Sequence, residues 1–594
     1  MIRIVRVQYH QPLKWLGLTV GLWSGGVGAA AWAIESASIT PRSALQLAQV
    51  LPPPQDLDPS PQEEPFEELT PLPTLPPVED LLGPQPAVPD EELGITTDEA
   101  TVVIERFKVE GSTVFSEAEL AAVTAPYTQR PLTFTEILQA RSAVTQLYVD
   151  NGYVTSGAIF PPQQLQDGVA TIQVIEGRLE QISVSGTRRL SPDYISSRLG
   201  VGATPPLNVN RLLERLQLLQ LDPLIESISA DLQAGTQPGT NLLVVSVIEA
   251  DSFDVTYTLD NNRSPSVGSV RHQLQAEERN LLGLGDSLRL GYSTTEGSDG
   301  IDLGYTLPLN PRGGTARFTF SSTDSRVIEV PFDILEIEAE SRFYELTLRQ
   351  PVVQKPTQEV ALGLTLSHQQ SQTSLGLGDI GPFPLSPGAD DQGRSRVTAL
   401  RFFQEWTQRS TEQVIALRSQ FNFGLDLFDA TINSDGEPDS RFFAWQGQAQ
   451  WIRLLAPDTL LLLRGSVQLT DDVLLTLEQF GQGGQATVRG YRQDQILTDS
   501  GAIASAELRL PIYRDRANRG LLQITPFFDL GHGWNSADID PDPNTLASLG
   551  VGLLYQQPDF SARLDWGIPL ISIEERGDSL QENGIYFSLR YSFF

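Results

Sequence analysis

Arg489 and Asp529 are the residues of this chain whose types and settings suggest one definite piece of chemistry, a buried guanidinium–carboxylate pair. Arg489 lies in "GQGGQATVRGYRQDQ", residues 481–495, where Gly481, Gly483 and Gly484 permit sharp turning and Gly490 permits close backbone approach. Val488 and Tyr491 flank the cation, the tyrosine as a rigid amphipathic wedge. Asp529 lies in "LLQITPFFDLG", whose residues alternate: Leu522, Ile524, Phe528 and Leu530 share one face, and Gln523, Thr525, Phe527 and Asp529 the other. An aspartate on the polar face of such a strand can accept a bidentate pair from an arginine carried in on a folded loop. A solvated charge on an external loop is the plainer reading of Arg489.

Other chemistry is poorly provided for. The 594 residues include no cysteine and four histidines in no spaced motif, so disulfides, thiolate sites and a zinc site are not expected. There is no Gly-x-Ser-x-Gly elbow, His-Glu-x-x-His, P-loop or dinucleotide fingerprint, so neither an enzyme nor a cofactor is expected. With 41 Lys+Arg against 74 Asp+Glu, the formal charge of -33 disfavours nucleic acid as a partner.

The elements that must position the pair are strands. From residue 251 to 594 the chain falls into sixteen segments of about ten alternating residues, broken by Gly, Asn, Asp and Pro turns. The first starts near Ser252, the sixth near Ser341 and the last near Gly584. "IASAELRL" sets Ala504, Ala506, Leu508 and Leu510 against Ser505, Glu507 and Arg509; "GIYFSLRYSFF" sets Ile585, Phe587, Leu589, Tyr591 and Phe593 against Tyr586, Ser588, Arg590 and Ser592. An even count with no apolar run long enough for a further helical span predicts a closed barrel with its apolar face to lipid and its polar face to a lumen. A soluble sandwich would instead present the polar face outside.

Ahead of the barrel the sequence repeats. "FKVEGSTVFSEAEL" (107–120) aligns with "ISVSGTRRLSPDYI" (182–195), and "VIEG" at 174–177 with "VIEA" at 247–250. Helical patterns at 133–149 and 209–221, and strand patterns near 153–160, 170–175 and 242–247, predict two β-α-α-β-β modules, residues 101–177 and 178–250. The strand preceding Ile248 is expected at the outer edge of its sheet, free to pair with an extended partner.

Residues 1–33, with Arg3, Arg6 and Lys14 before an apolar stretch ending at Ala31 and Ala33, read as a secretory signal peptide. Thr40 and Pro41 open a short helix within 34–50. Residues 51–100 hold 13 prolines, 13 Asp/Glu and no Lys or Arg, and read as an extended, self-repelling linker.

Two such modules before a sixteen-segment barrel, "VRGY" at 488–491, "FDLG" at 528–531, "NLLGLGDSL" at 280–288 and a terminal Phe594 resemble the outer-membrane transporters of two-partner secretion, within the Omp85 superfamily. The resemblance implies a monomer in outer-membrane lipid whose periplasmic POTRA modules capture an unfolded secreted exoprotein and whose barrel passes it outward. It implies that Arg489 is the tip of an inward-folded loop, that Asp529 is its partner on the inner wall, and that residues 34–50 are a pore plug. Val488, Gly490, Tyr491, Phe528 and Gly531 complete the motif pair, and Phe594 would end the barrel. The alternatives are an assembly factor of the same superfamily, a diffusion porin, for which the two modules would be unexplained, and a surface interaction protein.

Overall fold

A computed structural model describes Pro71 and residues 101–434, 437–515, 517–537, 539–573 and 577–593. The expected signal peptide, plug helix and Phe594, and all of the linker except Pro71, lie outside the described residues.

The first module begins with β1 (Arg106–Glu110), followed by helices α1 (Glu117–Thr124) and α2 (Phe134–Asp150), then β2 (Gly157–Ile159) and β3 (Val169–Ile175). The second repeats the order: β4 (Arg178–Ser185), α3 (Pro192–Gly202), α4 (Val209–Gln220), β5 (Ile225–Ala234) and β6 (Thr240–Glu249). Each helix starts where a side chain satisfies its free N–H groups. Ser116 with Glu119 and Thr133 with Glu136 form reciprocal capping boxes, and Ser191 and Asn208 cap α3 and α4. The apolar stripe of α4, Val209, Leu212, Leu213, Leu216 and Leu219, packs on Leu243, Val245 and Val247 of β6 in one core.

The repeated Val-Ile-Glu has a shared structural task. Gly111 and Gly186, with φ of 87° and 90°, turn the chain after the first strand of each module. A Cβ there would lie 2.5 Å from the Val174 carbonyl oxygen and 2.1 Å from that of Val247, so only glycine fits. The motif's glutamate then holds the turn. Glu176 accepts from the Thr113 N–H at 2.6 Å, and Glu249 accepts from the N–H groups of Arg188, Arg189 and Leu190, the last at 3.0 Å. Burial pushes the Glu249 carboxyl up, but these backbone donors more than offset it and hold it below the ordinary glutamate value.

The sheet order corrects one expectation. In each module the last strand is central, β1-β3-β2 and β4-β6-β5, with the first strand parallel to it. The strand preceding Ile248 is therefore paired on both sides. The free edges of the second module are β4 and β5, and β5 is a strand that the sequence reading did not separate.

The barrel comprises β7 (Phe253–Asp260), β8 (Arg271–Glu278), β9 (Ser287–Thr294), β10 (Ser298–Pro308), β11 (Thr315–Arg326), β12 (Ile337–Lys355), β13 (Gln358–Leu375) and β14 (Arg394–Arg409). It continues with β15 (Gln413–Leu425), β16 (Phe443–Ala456), β17 (Thr459–Thr470), β18 (Ser500–Asp515), β19 (Gly520–Trp534), β20 (Thr545–Gln556), β21 (Phe560–Pro569) and β22 (Ile585–Ser592). These sixteen strands are antiparallel neighbours in sequence order, and β22 closes on β7, so the sheet has no free edge. The starts agree with the sequence reading to within about four residues, the largest offset being β12, which begins at Ile337 instead of Ser341.

Side-chain burial follows the alternation. Phe528 and Leu530 on β19, Leu549, Val551 and Leu553 on β20, and Leu564, Trp566 and Ile568 on β21 are exposed outward, while Thr525, Asp529, Ser548 and Asp565 are fully buried inward. An apolar outside around a polar inside is the inverse of a soluble protein and fits a lipid solvent. The second module meets the barrel at its short-turn end. Arg189 donates to Glu278 at 3.1 Å and to the Asn280 carbonyl at 3.2 Å, and the Ser191 N–H donates to the Gly283 carbonyl at 2.8 Å.

Candidate functional site

Between β17 and β18 a hairpin of two short strands, Phe480–Gln482 and Ile496–Thr498, leads the 483–495 segment against the inward faces of β18–β22. Its tip is held by Arg489. The Arg489 Nε and Nη2 donate to Asp529 Oδ2 and Oδ1 at 2.8 and 2.9 Å, and the backbone N–H of Arg489 donates to Oδ2 at 3.1 Å. The guanidinium lies 3.4 Å from the centre of the Phe527 ring, so its flat face rests on an aromatic π-surface while its edge meets the carboxylate. Arg489 is 4% exposed and Asp529 0%, which makes this a desolvated pair and not a solvated loop charge.

The pair belongs to a larger network. Arg489 Nη1 donates to Glu507 Oε2 at 2.7 Å and lies 4.0 Å from Asp565 Oδ1. Arg563 bridges Glu507 and Asp565, each at 2.6 Å, Arg509 donates to Glu507 Oε1 at 2.9 Å, and Ser505 donates to Asp529 Oδ1 at 2.7 Å. Three arginines thus face three carboxylates. The charges balance, and each carboxylate is engaged by an arginine, so none is left poised as a general acid or base. The arrangement can hold a loop in a low-dielectric lumen; it does not assemble a reacting centre.

The rest of the motif fits around this cation. Val488 is fully buried, with its Cγ2 3.0 Å from where a Cβ on Gly531 would stand. Gly490, at φ 99°, lies backbone to backbone with Gly567: a Cβ on Gly567 would come within 2.6 Å of the Gly490 nitrogen. The Gly490 N–H donates to the Tyr586 hydroxyl at 2.9 Å, and that hydroxyl donates in turn to the Tyr491 carbonyl. The Tyr491 hydroxyl donates to the carbonyls of Ala547 and Ile571 at 2.8 and 3.0 Å. Phe528 does not join the cluster. It is 41% exposed on the lipid face, as its alternation requires.

Alternation alone puts Glu507, Arg509, Phe527 and Tyr586 on polar faces without linking them to Arg489, and it does not single out Arg563 or Asp565. One signal was present: Phe527 and Tyr586 are large rings on faces otherwise given to polar residues. Such rings need a local reason to face a lumen, and here they supply a cation–π seat and a hydroxyl bridge.

Comparison with known proteins follows the same lines. A profile described as haemolysin secretion/activation protein ShlB/FhaC/HecB matches residues 239–555, and a ShlB-type POTRA domain profile matches residues 102–177. The outer membrane transporter CdiB of Escherichia coli O6:K15:H31 (strain 536 / UPEC) is 24% identical over 514 residues, 82% of each chain. The heme/hemopexin transporter protein HuxB of Haemophilus influenzae (strain 86-028NP) is 21% identical over 465 residues, 74% of this chain and 78% of that one. Among solved structures, CdiB from Escherichia coli superposes with a TM-score of 0.64 at 22% identity, covering 86% of this chain and 93% of that one. CdiB from Acinetobacter baumannii gives 0.60 at 17% identity, covering 93% and 96%.

Proposed function

The chain belongs to the ShlB/FhaC/HecB family of haemolysin secretion/activation proteins, and from that premise we propose how its parts divide the work of moving a client. As a two-partner secretion transporter it sits in the outer membrane, extends its POTRA region into the periplasm and carries a partner exoprotein across. The family match separates this reading from an assembly factor of the wider superfamily.

The second module receives the unfolded client along β5, whose outer edge has backbone groups unpaired by the sheet, and holds it extended by strand addition. The client then enters the barrel, where the 481–495 loop, seated by Arg489 on Asp529, Glu507 and Phe527, shapes the path. The observation that carries this division is the buried, charge-balanced network around Arg489: a loop held that firmly inside a closed barrel is a built element of the lumen.

The test places single prolines at Ser229 and at Ala230 of β5. N–H groups alternate in direction along a strand, so one of the two substitutions removes an outward donor and spares the bond to β6. That variant should keep its fold and lose client binding. Undiminished secretion by a folded variant of each kind would sink the edge as the receiving surface.

A further inference from the structure

The inner loop has a second anchor, three residues beyond the first, whose partners lie on loops instead of strands. Arg492 Nη2 donates to Glu329 Oε2 at 3.0 Å, and Arg492 Nη1 lies 3.5 Å from Glu582 Oε1. The Gln493 N–H donates to Gln581 Oε1 at 2.8 Å, and Gln581 Nε2 donates onward to the carbonyls of Arg263, at 2.7 Å, and Asn261. Glu329 belongs to the β11–β12 loop, Arg263 and Asn261 to the β7–β8 loop, and Gln581 and Glu582 to the β21–β22 loop. All three loops lie at the end of the barrel away from the second module. Two of them are tied together directly, since the Ile328 N–H donates to the Ser266 carbonyl at 2.8 Å.

We propose that Arg492 and Gln493 are an outer latch: they draw these three loops inward over the inner loop and keep the cell-surface mouth of the lumen closed until a client moves the loop. This rests on the reading that the client passes through the barrel. Arg492 is 9% exposed, Glu582 5% and Gln581 0%, so the latch is desolvated. Buried polar groups keep their partners or regain water. If the inner loop shifts, Glu582 loses the Arg492 cation and Gln581 Oε1 loses the Gln493 N–H, so their loop is released toward solvent. The two anchors therefore differ in role. Arg489 binds strands, which stay; Arg492 binds loops, which can follow.

Arg492, Glu329 and Gln581 are positioning residues, and the readout that tests them is single-channel conductance of the full chain in a planar bilayer. Arg492→Gln should raise the frequency of large openings about tenfold, the shift expected when a charge-assisted pair is lost from one side of a two-state balance. Arg492→Lys keeps the charge toward both glutamates and should stay near the parent. Glu329→Gln, on a loop whose glutamate is partly exposed, gives a variant whose folding is not at stake and should show a smaller rise. Parental conductance in both Arg492→Gln and Glu329→Gln overturns the latch.

The chain has no cysteine, so a complementary test joins Arg492→Cys to Glu329→Cys with a short, reductively cleavable bismaleimide. Secretion should stop when stapled and resume when cleaved. Undiminished secretion by the stapled protein overturns the latch while leaving transport intact. Absence of secretion from the unmodified parent would instead count against the transport reading itself.

Discussion

Arg489 and Arg563 share one oxygen: both guanidinium groups donate to Glu507 Oε2, at 2.7 and 2.6 Å, from a loop and a strand about 75 residues apart. Glu507 is thereby the hinge of the network, joining the loop's cation to the wall's, and Arg509 occupies its other oxygen. The consequences can be measured.

Replacing Arg489 by alanine leaves Asp529 buried without its cation, a loss of about 3 to 5 kcal/mol in the seating of the loop. Client secretion should fall sharply while heat-modifiable migration of the barrel persists. Arg489→Lys should rescue poorly, because one ammonium cannot reproduce a planar fork that also lies flat on Phe527. A double-mutant cycle with Asp529→Ala decides the matter: independent, multiplicative effects on secretion would mean that the two do not act as a pair.

Glu507→Gln removes one of three buried negative charges and leaves three arginines facing two carboxylates. The loop should become accessible to protease added to intact cells, and a second change, Arg509→Met, should restore part of its protection by removing the surplus cation. If Glu507→Gln is as protected as the parent, the network is not what seats the loop. If Arg509→Met gives no relief, charge balance is not the reason.

Gly567→Ala tests the close approach of loop and wall. The added methyl would stand 2.6 Å from the Gly490 nitrogen and 2.8 Å from the Arg489 carbonyl carbon, both backbone atoms that no rotamer can move. Overpacking of this kind costs about 1 to 3 kcal/mol. The expected result is a normally inserted barrel with a displaced loop, seen as weakened crosslinking between cysteines placed at Val488 and Gly531. Unchanged crosslinking would mean that β21 shifts instead.

Glu249→Gln should loosen the turn at 186–190 in a pH-dependent way. The folded carboxyl is held below its ordinary value, so the stability it contributes is present above the unfolded value of about 4.3 and is lost as pH falls through that value toward the folded one. Hydrogen exchange of the Arg188, Arg189 and Leu190 amides in the full chain should be faster in the variant at pH 7, with the difference shrinking at and below about pH 4. An equal difference at both pH values would exclude the ionised carboxylate as the cause.

What the chain's order alone determined is whatever depends on local period and local sterics. Alternation over two residues settled which side chains of β18, β19 and β22 face inward, because successive side chains on a strand must point to opposite faces. The aligned glycines and glutamates of the two modules were visible because the same turn needs the same residues twice. What only the tertiary structure decided depends on which strands meet and at what stagger. Glu507, Arg563 and Asp565 lie on two non-adjacent strands, and their meeting at Arg489 is set by the barrel's curvature and register, which no local pattern encodes. The β5 strand, implied by the module pattern, is not located by sequence for a related reason. Its pairing with β6 slips between Ile225 and Ser227, so its buried residues run Ile225, Ile228, Ala230, Leu232 and the two-residue period is broken at its start. The last strand of the module reads as an edge because nothing follows it in sequence to pair with, and only the long-range parallel pairing with β4 placed it at the centre of its sheet.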